Sequence, residues 1–238
     1  MRKKRMSGTN TSFHTVRPRF SLDTTMLTLS DYLPSQNAWK LRLLLNHLGR
    51  PYHTVPISIF EGEGQIAEFR RINPTGTVPA IQLEDGRVLA ESNAILAYLA
   101  EGTPYLPTDP FDCAKVQQWL HFEQGWVESS IGALRHWTMT GKLAQRSPEL
   151  IEAKRNAAGR SLGILEIELS TRAFLASAHY TIADMAVFAY ASRAEEAGLS
   201  LRPYPHFRDW IARIESQPNF LATMYPYSID PHSSRELS

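Results

Sequence analysis

Two hydrophobic periods divide the chain. Leu27 and Leu29 alternate with Thr28 and Ser30, the period of a short strand. After a loop holding Pro34 the period lengthens. Trp39, Leu41, Leu43, Leu44, Leu45 and Leu48 form a wide helical stripe, which Gly49 and Pro51 stop. Tyr52 to Ile59 returns to alternation through Val55, Ile57 and Ile59, and Pro56 inside it predicts an edge strand. A short polar helix over Glu63 to Ile72 follows. The strands Val78–Leu83 and Arg87–Leu89 flank an Asp85-Gly86 hairpin turn, and a helix over Glu91 to Ala100 turns Ile95, Leu96 and Leu99 inward. The order β-α-β-α-β-β-α predicts a compact α/β unit with a mixed four-stranded sheet.

Beyond Pro104, Pro107 and Pro110 the strand period is gone, and the rest reads as an all-α unit. Phe111 to Met139 is one long helical pattern. Ser147-Pro148 opens another helix, with Ser at the N-cap and Pro at the first helical position, running to about Leu169. Thr181 and Asp184 are spaced as a capping box, with Tyr180 and Met185 placed as a hydrophobic staple; that helix ends at Gly198. A last helix covers Phe207 to Ile214. The expected organisation is an extension over 1–25, an α/β domain over 26–102, a linker over 103–110, a helical domain over 111–224 and a polar tail over 225–238.

Charge changes this picture only at the start. Residues 1–25 hold six basic residues against Asp23, a net +5, which leaves −4 for the rest of a chain whose total is +1. The body therefore gives no reason to expect a nucleic-acid or membrane partner. The basic head reads as a disordered extension, or as residues ahead of a start at Met26, with a transit peptide as the alternative. A single cysteine, Cys113, excludes an internal disulfide and a cysteine metal cluster, and it fits a reducing, cytoplasmic compartment. The histidines show no metal-ligand spacing, so no metal is expected.

Candidate chemistry lies in three clusters. Pro34-Ser35-Gln36-Asn37 places a hydroxyl and a carboxamide at a helix start, where free N–H groups and the helix dipole favour an anion. Ser35 or Asn37 would equally serve as an N-cap. Asn73-Pro74-Thr75-Gly76-Thr77-Val78-Pro79-Ala80 puts a proline at a strand start. This suggests a cis Val78–Pro79 bond and a Val78 backbone turned outward for a strand-like ligand; an ordinary turn into an edge strand is the alternative. Glu91-Ser92 joins a carboxylate to a natural N-cap. It is suited to an amino-acid head group, or simply to capping.

In this order the three clusters resemble the glutathione site of the cytosolic glutathione transferases. The second half resembles that family too: Phe174-Leu175-Ala176 before Tyr180-Thr181-Ile182-Ala183-Asp184, then Pro205, Phe207, Trp210 and Arg213. The resemblance covers about 27–223. The Pro-Ser-x-Asn start is most similar to the bacterial Nu-type and theta-type enzymes. The cysteine motifs of other classes are absent, as is the tyrosine of the alpha, mu and pi classes unless Tyr32 fills that role.

The resemblance implies a thioredoxin-like domain followed by a helical bundle, with glutathione as co-substrate. Ser35, assisted or replaced by Asn37, would hold the thiolate. Thr77, Val78 and Pro79 would bind glutathione, with Val78 pairing with the cysteinyl backbone, and Glu91 and Ser92 would hold the γ-glutamyl group. Thr77, Lys40, Gln65 and Arg70 are candidates for the glycyl carboxylate. A second substrate, a small hydrophobic electrophile or a disulfide, would lie against Tyr32, Leu33, His121 and Trp126; for the neighbouring Trp119 and Phe122, core packing is the equal alternative. The resemblance further implies a homodimer, with Phe60 as an aromatic that docks into the partner. Disulfide or peroxide reduction and a non-catalytic binding module are the competing functions.

A thiol with a pKa near ~8.5 is only about 3% thiolate at pH 7. Lowering that pKa by about two units requires roughly 2.7 kcal/mol. One hydrogen bond to the charged sulfur supplies about 1.5–3 kcal/mol and a helix N-terminus about 0.3–1. A single hydroxyl at a helix start is therefore sufficient, and no general base is demanded.

Overall fold

The computed structural model describes residues 26–237. The basic extension over 1–25 lies outside the described residues. The first unit contains β1 (Thr28–Asp31), α1 (Gln36–His47), β2 (His53–Pro56), α2 (Ala67–Ile72), β3 (Ala80–Gln82), β4 (Val88–Ala90) and α3 (Ser92–Ala100). The sheet order is β2-β1-β3-β4. β1 pairs parallel with β2, Leu29 opposite Thr54, and antiparallel with β3, Leu29 opposite Ile81; β3 and β4 form the hairpin. This is the expected mixed sheet, with β2 at the edge where Pro56 placed it.

Side-chain alternation sets the layers. Leu29 and Ile81 face the main core, shared with Leu41, Leu44 and Leu45 of α1 and Ile95 and Leu99 of α3. Ala80 and Ile57 face the other way, onto Phe69 of α2. β1 is therefore covered on both faces, as a central strand between helices must be. The expected helix over Glu63 to Ile72 is shorter: two single 3₁₀ turns, Ile59–Glu61 and Glu63–Gln65, precede α2.

The second unit is helical: α4 (Pro110–Phe122), α5 (Ala133–Met139), α6 (Pro148–Leu169), α7 (Ile182–Ala191) and α8 (Pro205–Glu215). α4 and α5 belong to one continuous rod, and the ten residues between them, Glu123–Gly132, wind as a π-helix. Two N-caps of this unit are where the sequence placed them, whereas α7 stops at Ala191, short of the expected end at Gly198, and a 3₁₀ turn over Ala194–Ala197 follows. Ser147 Oγ accepts from Leu150 N–H at 3.3 Å with Pro148 following. Thr181 N–H donates to Asp184 Oδ2 at 3.0 Å, and Thr181 Oγ1 accepts from Ala183 N–H at 3.3 Å. Asp184 also accepts from Leu175 N–H at 2.9 Å and from Trp210 Nε1–H at 3.0 Å, tying α7 to α8.

The two units share one core. Trp39 of α1 stacks on Phe188 of α7 with ring centroids 5.6 Å apart, and its Nε1–H donates to Thr223 O at 3.2 Å. Burying side chains of this size contributes about 1.5–3 kcal/mol each, which fixes α1 against the helices. The residues read as a polar tail do not hang free. Tyr227–Ile229 form a 3₁₀ turn, and the Tyr227 ring packs against Tyr32, Phe60 and His136. Arg146 pairs with Glu236 at 2.6 Å. The tail is folded back over the end of α1.

Candidate functional site

The site forms where α1 begins. Tyr32 to Ser35 turn sharply, with Ser35 N–H donating to Tyr32 O at 2.8 Å. Ser35 takes the N-cap position and its Oγ accepts from Ala38 N–H at 3.2 Å. Capping uses an oxygen lone pair, so the hydroxyl proton is left to donate elsewhere. The two readings of Ser35 made from sequence are thus compatible.

A second loop, the one entering β3, lies beside the end of β1, where Ala80 pairs with Ser30. The Val78–Pro79 bond is cis, and Val78 lies two residues before β3, beyond the paired ladder. The buried Asn73 holds this loop closed, with Nδ2–H donating to Thr77 O at 2.7 Å and Oδ1 accepting from Thr75 N–H at 3.1 Å. Gly76 has φ +72°, and a Cβ there would lie 2.6 Å from Gly64 O. Only glycine lets the two loops touch so closely.

Ser35, Asn37, Thr77 and Val78 line one cavity of about 260 Å³, together with Tyr32, Ile59 and Gln65. Glu128, His136, Tyr227 and Leu237 supply its opposite wall from the helical unit and the tail. Ser92 joins through a hydrogen bond, its Oγ–H donating to Asn37 Oδ1 at 3.1 Å. Ser92 is not the cap of α3. That place belongs to Glu91, whose φ of 66° puts a non-glycine residue in the left-handed region. Such a conformation costs of order 1–3 kcal/mol and concentrates at functional positions. Glu91 is exposed and Pro79 is buried beneath the loop.

The other sequence candidates fall differently. Lys40 is fully buried and pairs with the equally buried Glu123 at 3.1 Å, so its ammonium is committed inside the protein. A lysine on a helix reads as solvent-facing, and its buried partner 83 residues away gave no local signal. Arg70 is exposed on α2 and is not among the cavity residues, whereas Gln65 and Thr77 are. Tyr32 borders the cavity, but its phenol donates to Asp230 Oδ2 at 2.9 Å. Burial, then the Asp230 carboxylate, push its pKa up, and the phenol proton is engaged by Asp230. Leu33 lines an adjoining cavity of about 300 Å³. His121 and Trp126 are exposed and outside the cavities that hold Tyr32 and Ser35. Trp126 stacks on Phe122, and His121 Nδ1 is bonded to Gln117 O of its own helix at 2.7 Å. Phe60 is turned into its own subunit, against Tyr32 and His136, with Lys142 Nζ 4.6 Å above its ring. The docking role expected for it is therefore corrected.

Four wall residues were missed from sequence: Glu128, His136, Tyr227 and Leu237. His136 and Glu128 also border a cavity of about 490 Å³, with Gln124, Ser129, Trp137, Tyr190 and Tyr227. Burial, reinforced by nearby Lys142, lowers the His136 pKa to about 4, so the imidazole is neutral at pH 7. Burial, and then the Glu123 charge, raise the Glu128 pKa above the usual carboxylate value. Among the described residues, no group of three or more metal-ligating side chains converges, and no helix is long and apolar enough to cross a membrane.

Comparison with known proteins agrees with this architecture. The glutathione S-transferase N-terminal domain matches residues 34–101, and the C-terminal domain of the same family matches residues 129–218. A glutathione S-transferase from Pseudomonas fluorescens, known from its crystal structure, is 35% identical, covering 83% of this chain and 98% of that one with a TM-score of 0.80. A second family member from that organism, crystallised with two glutathione bound, is 25% identical over 83% of this chain and 91% of that one, with a TM-score of 0.73. The disulfide-bond oxidoreductase YfcG of Escherichia coli is 29% identical over 79% of this chain and 89% of its own length. The chain belongs to the glutathione S-transferase family. Glutathione is the co-substrate of that family.

Proposed function

We propose that this chain is a glutathione transferase that binds glutathione in the 260 Å³ cavity and activates its thiol at the start of α1. The observation that carries the reading is the Ser35 hydroxyl, held at a helix N-terminus by its own capping bond with its proton still available. The first N–H groups of α1 have no intrahelical acceptor and add their dipole to the same point. In the reaction the thiol proton leaves to solvent, and the Ser35 O–H donates to the sulfur anion. The sulfur then forms a bond to an electrophilic carbon as the leaving group departs with its electron pair. Val78 would pair with the cysteinyl backbone and Glu91 and Ser92 would receive the γ-glutamyl group. Thr77 and Gln65 remain the candidates for the glycyl end. The second substrate would enter the 490 Å³ cavity, separated from the first by Glu128, His136 and Tyr227.

Glutathione-dependent disulfide reduction is the second reading. The polar lining of the larger cavity by Gln124, Glu128, Ser129 and His136 favours it, as does the likeness to a disulfide-bond oxidoreductase. We further propose, on family membership alone, a cytoplasmic homodimer. Retention on immobilised glutathione, followed by parallel assays with a chloro-nitroaromatic acceptor and a mixed disulfide of glutathione, tests these readings. Turnover of the first substrate supports S-transfer; turnover of the second alone supports reduction. A protein that neither binds glutathione nor lowers its thiol pKa is a binding module, and both enzymatic readings fall.

A further inference from the structure

The π-helical stretch has a geometric effect on the site. In an α-helix residues five apart point about 140° away from each other. In a π-helix the backbone bond runs to the fifth residue, which brings such a pair onto one side. Ala133 N–H donates to Glu128 O in this five-residue pattern. Glu123 and Glu128, five apart, accordingly both reach α1. Glu123 takes Lys40 Nζ at 3.1 Å, and Glu128 Oε1 takes Asn37 Nδ2–H at 2.8 Å. Asn37 and Lys40, three apart on α1, present one face to them.

We propose that Glu128 is a positioning residue, holding the Asn37 carboxamide so that its second N–H is directed at the glutathione sulfur. The inference rests on the glutathione-transferase reading above. Asn37 is fixed at both ends, since Oδ1 accepts from Ser92 Oγ–H at 3.1 Å while one Nδ2–H goes to Glu128. A carboxylate can only accept, so a flipped amide would set its oxygen against Glu128 and lose that bond. One N–H remains, on a residue that lines the cavity with Ser35. Glu128 is anchored in turn by Tyr190 O–H at 3.2 Å and Gln124 Nε2–H at 2.7 Å. The Tyr190 ring lies so close over Gly132 that a Cβ there would sit 3.0 Å from it. Besides the Tyr190 phenol, the charged groups acting on Glu128 are Glu123 and Lys40.

The test is the pKa of the bound glutathione thiol, read from thiolate absorbance in wild type, Asn37→Ala, Glu128→Ala, Glu128→Gln and the Asn37→Ala/Glu128→Ala double variant, with glutathione affinity measured for each. Asn37→Ala raises the thiol pKa by about one unit, Glu128→Ala lies about one unit above Glu128→Gln, with which it shares the loss of charge, and the double variant goes no higher than Asn37→Ala. Glu128→Gln keeps an oxygen for Asn37 and removes a negative charge near the sulfur, so its thiol pKa stays at or below wild type. A domain-docking role alone would move the thiol pKa equally in Glu128→Ala and Glu128→Gln. Equal values in those two variants, or a further rise in the double variant, overturn the proposal. If Glu128→Ala does not fold, Tyr190→Phe, which removes one anchor, carries the test: an upward shift supports the proposal and none overturns it. An unshifted thiol in wild type sinks the transferase reading itself. A shifted wild-type thiol with equal values in Glu128→Ala and Glu128→Gln sinks this inference alone.

Discussion

Replacing Ser35 separates thiol activation from helix capping. The Ser35 hydroxyl has two prospective bonds, one observed to Ala38 N–H at 3.2 Å and one proposed to the sulfur. Ser35→Ala removes both. Loss of a hydrogen bond to a charged group is worth about 1.5–3 kcal/mol, which raises the bound thiol pKa by about 1–2 units. Loss of the cap costs about 1 kcal/mol, which lowers Tm by about 2–4 °C at this size. Ser35→Gly removes the hydroxyl but costs the cap only a few tenths of a kcal/mol. It should therefore raise the thiol pKa as Ser35→Ala does and leave Tm close to wild type. Ser35→Thr keeps both bonds and should change neither. Activity follows with compression. Below the thiol pKa, each unit of rise removes about ten-fold of thiolate, while the more basic sulfur regains about three-fold in nucleophilicity if it behaves as in thiol exchange. Turnover near pH 6.5 should thus fall only about 3–10-fold. The assays are thiolate absorbance against pH and thermal melts on the same samples. If Ser35→Ala and Ser35→Gly both keep the wild-type thiol pKa, Ser35 is a cap and nothing more, and Asn37 is left as the donor.

Three other outcomes are expected. Asp184→Ala takes the acceptor from four buried donors, Leu175 N–H, Thr181 N–H, the Thr181 hydroxyl and Trp210 Nε1–H. It should cost about 3–5 kcal/mol in urea denaturation, and a loss under about 1 kcal/mol would show the box to be dispensable. His136 has a folded pKa of about 4, against 6.5 unfolded. The unfolded chain therefore binds the extra proton first, so stability is full above about pH 6.5 and declines as pH falls toward 4, by roughly 1–3 kcal/mol at this partly open position. His136→Asn should flatten that decline in urea midpoints taken across the window. Truncation after Met224 removes Asp230, so the Tyr32 phenol should titrate closer to its ordinary value of about 10; an unchanged tyrosinate titration would mean that burial by other elements, rather than the tail, holds it up.

The sequence was most informative where one residue type has one mechanical use. Pro56 predicted an edge strand, Asp85-Gly86 a hairpin, Ser147-Pro148 a helix start and Thr181–Asp184 a reciprocal cap, and each is present. The cavity residues of α1 and of the loop before β3 were legible for the same reason. The π winding was not, because Val127, Ile131 and Leu134 keep a helical apolar spacing whichever way the backbone bonds run. Nothing in that spacing sets Glu128 apart from the other carboxylates of a long helix. Lys40 and Phe60 misled because depth is a tertiary property. A lysine inside is stable only with a partner that lies far along the chain, and an aromatic after an edge strand carries no mark of whether it faces its own subunit. Tyr227 and Leu237 sit in a stretch with no periodicity, so nothing local announced that they would return to the cavity.

The folded-back tail also bears on the order in which the protein becomes competent. The bond between Asn37 and Glu128 closes a loop of 91 residues, and that between Tyr32 and Asp230 one of 198. Closing such loops loses chain entropy before any contact repays it, so these joints come after the local helices and the hairpin. A refolding chain should regain its helical signal before it can hold glutathione, and one still being synthesised has no complete cavity until Tyr227 and Leu237 are free to fold back.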